Sequence, residues 1–204
     1  QSNTKDIVYT LTASYNSLEA QGNTTSLVIY LTADGIADLL LTPPVGRAAN
    51  TSYLSLLRDS LFSPFGYANV EVSRSDAMAP AVFTPDTFPP YVTSFSLFMD
   101  TGVMWLQFTE PIDIDTFTLE GLTIQSRSYL GDGTNNPVLE KQIQRLSDTG
   151  ASLISLTNRQ RTLYYQLGDY NMNFIKSRIG LAVSRESSFI AAWNPFVHDT
   201  SGAL

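Results

Sequence analysis

The sequence has no cysteine, a single histidine and no apolar run near membrane-spanning length. Without cysteine there is no disulfide, no thiolate metal site and no cysteine nucleophile. His198 alone cannot supply a multi-histidine metal centre. A membrane helix needs roughly 18 consecutive apolar residues, and no stretch approaches that. Positive charge is scarce. Twelve Lys and Arg face 19 Asp and Glu, a net charge of −7, which argues against nucleic acid and anionic membranes as partners. Catalytic signatures are missing too. Gly131-Asp132-Gly133 lacks the Lys-Ser/Thr of a phosphate loop, and no G-x-S-x-G elbow occurs. His198 beside Asp199 therefore reads as a turn residue near a domain edge, and the acidic pairs lack the cleft signature of a glycosidase. No enzyme is expected. Gln1 opens without an initiator Met or leader, so the chain reads as an excised or processed piece.

Apolar residues at 43% against 15% charged are enough for a packed core. Alternation with β-branched and aromatic residues predicts strands in DIVYTLTAS, TTSLVIYLT, NTSYLSLLRDSLF and ANVEVSRS. Further strands are YVTSFSLFM and VMWLQFTE, joined by an Asp100-Thr101-Gly102 turn, then GLTIQS, ASLISLT, RTLYYQL and SSFIAAW. A hairpin turn is expected at Asn158-Arg159. Two short helices interrupt the strands. One is capped by Asp34 and ended by Pro43-Pro44, and the other lies in DYNMNFIKSRIG. Residues 127–150 read as a polar insert, in which VLEKQIQRL is either a helical turn or a hairpin arm.

Set against itself at a spacing of 136 residues, the chain repeats its pattern without a gap. Leu27 meets Leu163, Leu31 meets Leu167, Ile36 meets Met172 and Leu39 meets Ile175. Val45 meets Leu181, Tyr53 meets Phe189, Leu54 meets Ile190 and Gly66 meets Gly202. Upstream the spacing is 113, pairing residues 9–14 with 122–127, and the polar insert accounts for the difference. Residues 1–85 are thus expected to be the later part of a first repeat, 86–90 a Pro-rich linker and 91–204 a second repeat carrying the insert. The first copy lacks its opening hairpin, and the second stops before a counterpart of ANVEVSRSDAMAPAVF. Either the polypeptide continues, which is favoured, or neighbouring molecules donate the missing strands.

Two sequons, Asn23-Thr24-Thr25 and Asn50-Thr51-Ser52, are N-glycosylation acceptors in a secreted chain. Asp86, Asp100, Glu110, Asp113 and Asp115 could gather at a junction and hold Ca²⁺, although their spacing matches no EF-hand. Phe95, Phe98, Trp105 and Phe108 offer either a carbohydrate platform or, for Phe95 and Trp105, core packing. Tyr164 and Tyr165 point to opposite faces of one strand. Pro43, Pro44, Pro89 and Pro90 are stiff extended punctuation and candidates for hydroxylation and O-glycosylation.

Asp86, Thr87, Pro89 and Pro90, followed by Phe108-Thr109-Glu110-Pro111-Ile112-Asp113, resemble the opening of bacterial-type Ig-like repeats, including those of S-layer proteins. The later stretch, with Asp199 and Gly202 in an Asp-x-x-Gly pattern, looks like the second half of tandem repeats in giant surface glycoproteins of microalgae and other protists. The first copy keeps Gly66 and has Ser63 in place of the aspartate. The resemblance implies an all-β chain of tandem Ig-like β-sandwich repeats, each with one short helix. It also implies an extracellular structural glycoprotein that assembles with copies of itself, and with other surface glycoproteins, into a filament or coat of the mastigoneme kind. N-linked glycans are expected and no cofactor. The alternative is an adhesin or carbohydrate-binding module using residues 127–150.

Overall fold

A computed structural model describes residues 7–12, 16–19, 27–63, 65–128, 143–193 and 196–200. The chain is mostly β-strand with two short helices, and it divides into two compact units, Gln1–Thr87 and Phe88–Leu204. The division falls inside the segment read as a linker.

In the first unit, β1 (Asn16–Glu19) pairs antiparallel with β2 (Val28–Leu31) as a two-stranded sheet. Helix α1 (Ala33–Leu40) follows at once. Its cap is Thr32, whose Oγ1 accepts from the Gly35 N–H at 3.1 Å. Asp34, expected as the cap, sits instead in the first turn, where its charge suits the helix dipole. Beyond α1 the backbone is held by isolated bridges, Leu54 with Met78, Leu56 with Val72 and Phe62 with Ala68. The strand expected over DIVYTLTAS is absent from its described residues, 7–12, which lie outside any strand. The Tyr9 hydroxyl donates to the Gly35 carbonyl at 3.1 Å.

The second unit is built from antiparallel sheets. β3 (Val92–Phe98), β4 (Val103–Phe108), β9 (Thr162–Gln166) and β8 (Ser152–Thr157) form one sheet in the order β3-β4-β9-β8. β10 (Phe189–Ala192), β6 (Leu122–Gln125) and β7 (Ile143–Arg145) form a second in the order β10-β6-β7. Two short strands, β5 (Ile112–Asp113) and β11 (His198–Asp199), pair with each other. Gly102 turns the β3–β4 hairpin at φ 72°, and Asn158, Arg159 and Gln160 turn β8 into β9 with positive φ at all three.

Alternation along β4 puts Met104, Leu106 and Phe108 on the buried face. They share one core with Leu122, Ile124, Leu163, Leu167, Ile175 and Leu181. Helix α2 (Asp169–Ser177) closes this core with Met172 and Ile175. Its buried Asn171 clips the helix to the loop between β7 and β8, accepting from the Ser147 N–H at 2.9 Å and donating to the Ser147 carbonyl at 2.7 Å. Of the two readings of VLEKQIQRL, the hairpin arm is the one seen, since β7 lies antiparallel against β6, with Gln144 and Leu146 buried.

Elements of the two units recur at the 136-residue spacing. Helix starts Ala33 and Asp169 correspond, as do the 3-10 turns Ala49–Thr51 and Arg185–Ser187. The hydrogen bonds recur with them. Ile36 N–H to Thr32 O matches Met172 N–H to Gly168 O, and Thr42 N–H to Leu39 O matches Arg178 N–H to Ile175 O. Val45 N–H to Thr42 O matches Leu181 N–H to Arg178 O. The Ser52 hydroxyl donates to Ala48 O at 2.7 Å and the Ser188 hydroxyl to Ser184 O at 2.6 Å. Gly46 and Ala182 share a positive φ.

Candidate functional site

Asn50 occupies the middle of an exposed 3-10 turn, which leaves room for a bulky glycan. The turn is tied down locally. Thr51 Oγ1 donates to Pro44 O at 2.8 Å, and Ser52 Oγ accepts from the Gly46 N–H at 3.1 Å. Pro43 and Pro44 are exposed within this same turn region and joined by a cis peptide bond, so they are not the extended punctuation expected of them. Pro89 is half-buried and Pro90 buried in the second unit, where burial leaves its ring no access for a modifying enzyme. Asn23 lies outside the described residues.

Within the second unit, Asp100 and Glu110 lie apart. Asp100 sits in the β3–β4 turn, where its carboxylate accepts from the Thr101 N–H at 2.9 Å. Glu110 follows the other end of β4, a strand of six residues, so roughly 20 Å of extended chain separates the two. Asp113 accepts from the Asp115 N–H at 3.1 Å and thereby caps the 3-10 turn Ile114–Thr116. Asp86 is exposed and belongs to the first unit. Asp199, which the spacing of the sequence did not single out as acidic ligand, is buried in β11, and its carboxylate lies within 4.8 Å of that of Glu110. Within the second unit, Glu110 and Asp199 by themselves supply fewer than the six to eight oxygens that Ca²⁺ takes. His198 is a strand residue rather than a turn residue. It pairs with Asp113, and its N–H donates to Thr116 Oγ1 at 2.9 Å. Gly202 lies outside the described residues.

The aromatic group splits by face. Phe95 stands opposite Leu106 and packs against the core, where Phe108 is buried. Trp105 points the other way, opposite Ser96 on one side and Tyr164 on the other, and exposed Phe98 shares that outer face. Trp105 was expected in the core, but the core positions of β4 belong to its even-numbered residues. Tyr165 faces inward, with its ring 5.2 Å from that of Phe117. Burial, and secondarily the charge of Asp148, raises its pKa above the usual tyrosine value. Of the proposed insert, residues 129–142 lie outside the described residues.

The feature that site-by-site reading of the sequence missed is the apolar surface of the first unit. Leu27 is 39% exposed, Ile36 44% and Leu54 49%. Their counterparts 136 residues later are Leu163 at 0%, Met172 at 7% and Ile190, which packs against the core. The signal was available, because the repeat aligns these positions, but it shows only when one copy is compared with the other. No family model matches the chain, and no curated protein or solved structure matches it.

Proposed function

We propose that this is a non-enzymatic structural protein of tandem Ig-like β-sandwich repeats, part of an extracellular glycoprotein that assembles with copies of itself into a surface filament or coat. The observation that carries this reading is the bond-by-bond recurrence of strand, helix and 3-10 turn at 136 residues. Repetition of one module is how chains gain length and extended contact surface without a reaction centre. Exposed Asn50 supports secretion, since a glycan there would stand clear of the core. The net charge of −7 keeps such modules soluble and apart except where surfaces match.

The test is the intact mass of the native protein before and after glycan removal, together with sedimentation across a concentration series. Sugar on Asn50 and growth of the sedimenting species with concentration are the expected results. A sugar-free chain that stays single at every concentration sinks the reading. An adhesin or carbohydrate-binding module is the second reading, favoured by Phe98, Trp105 and Tyr164 on the outer face of one sheet. Deleting 129–142 and, separately, replacing Trp105 with Ala would abolish glycan binding in that case and leave assembly intact.

A further inference from the structure

In the second unit, β9 is flanked on both sides. Just past its end the Leu167 N–H donates to Gly102 O at 2.9 Å, so the odd-numbered residues of β9 bond to β4. In the first unit, β2 has β1 as its one partner, and its other edge carries no strand among the described residues. The same contrast holds further on. Trp193 N–H donates to Gly121 O at 2.8 Å, so the odd residues of β10 face β6. Their counterparts are Tyr53, Ser55 and Leu57. Leu54 and Leu56 direct their N–H groups the other way, to Met78 and Val72. The edge that β6 fills in the second unit thus carries no strand among the described residues of the first. The side chains exposed beside these two edges are Leu27, Ile29, Ile36 and Leu54, whose counterparts β4 and β6 help bury in the second unit.

We propose that the first unit is an acceptor for strand addition, and that its open β2 edge takes, antiparallel, a hairpin with the chemistry of Val92–Phe108 presented by a second copy of the repeat. The register follows from the second unit, where Met104 lies opposite Tyr165 and Trp105 opposite Tyr164. Moved back by 136, these partners become Ile29 and Val28. Main-chain hydrogen bonds supply affinity in such an addition, and the alternating side chains select the occupant. A donor hairpin not paired with its own β9 would cover Leu27, Ile29 and Ile36 with Met104, Leu106 and Phe108, the side chains that β4 buries when it pairs with β9 in the second unit. Edges of this kind are otherwise a hazard that proteins block with charge, proline or a covering segment, and Val28–Leu31 carries neither charge nor proline. The inference rests on the repeat reading above and names the contact through which copies join.

Absence of cysteine makes the test clean. The full chain carrying Val28→Cys is mixed with a synthetic peptide of residues 88–110 carrying Trp105→Cys, under oxidising exchange. Val28 is exposed, so the substitution leaves the fold in place. Opposed residues of this non-hydrogen-bonded kind bring their Cβ atoms within disulfide reach. The expected result is one peptide per chain, linked at Val28→Cys and not at Ile29→Cys, with slowed amide exchange at Leu27, Ile29 and Leu31 when the unmodified peptide is added. No binding, linkage at both positions alike, or protection confined to the second unit overturns the proposal. Growth of the chain with concentration but no peptide binding would remove strand addition and leave self-assembly standing. Peptide capture by a chain that never self-associates would do the reverse.

Discussion

Leu163 is fully buried, while Leu27, at the matching position of the first unit, is well exposed. Both lie at the start of a strand followed by a helix of matching start and a 3-10 turn with the same bonds. Local sequence therefore builds the same ladder twice, and what differs is the set of strands laid against it. Burial is a property of pairing rather than of the residue, which is why strand preference depends so heavily on context.

The largest expected effect sharpens this contrast. Leu106→Ala removes a fully buried side chain from the second unit and should cost about 2–5 kcal/mol. Ile29→Ala, on the open face of the first, should cost about 0.5 kcal/mol. Denaturant-dependent amide exchange reads the two units separately. Equal losses would mean that the face of the first unit is already covered.

A smaller effect is expected at the helix starts. Thr32 caps α1 with its hydroxyl, but Gly168 holds the same position before α2 because nothing larger fits. A Cβ on Gly168 would meet backbone atoms of Thr149 and Gly150 at under 3 Å. Gly168→Thr should therefore cost about 1–3 kcal/mol through overpacking. Thr32→Gly should cost only a few tenths of a kcal/mol, since glycine is itself a tolerable cap. Thermal unfolding of the two variants decides it, and a stabilised Gly168→Thr protein would mean that the 149–150 loop yields.

The smallest effect is alkaline. Tyr165 has a raised pKa in the folded state, and its counterpart Ile29 cannot titrate. A raised folded pKa contributes stability that is complete below the unfolded value of 10.0 and is lost as pH rises through the folded value. Stability of the second unit should thus fall slightly above pH 10, and Tyr165→Phe should flatten that slope. An unchanged slope would trace the effect to other groups.

Much of this was legible in residue pattern. β3, β4, β6, the β8–β9 hairpin and both helices sit where alternation, helical spacing and turn residues put them, and the 136-residue spacing was visible in Leu27, Ile36 and Leu54. The misses have physical reasons. Residues 7–12 alternate like a strand, but alternation marks a face and cannot provide a neighbour to bond with. β7 is short and carries one apolar residue, Ile143, so pattern left it open between a helical turn and a hairpin arm, and pairing with β6 decides it. Trp105 was expected in the core with Phe95, whereas pleat parity, fixed by Leu106 opposite Phe95, turns it outward. The proximity of Glu110 to Asp199 depends on segments 89 positions apart being brought together, which no spacing rule encodes.

The bond from Gln166 Nε2 to Thr101 O joins residues 65 apart, alongside the Leu167-to-Gly102 bond that fastens β9 to β4. Synthesis runs at about 5–20 residues per second, so the β3–β4 hairpin is complete about 3–12 s before its partner strand exists. For that interval Met104 and Leu106 have no core to enter. Pairings this distant in sequence are also slow to form once the chain is complete. The order of synthesis, rather than the finished fold, sets when this hairpin is most available to another molecule.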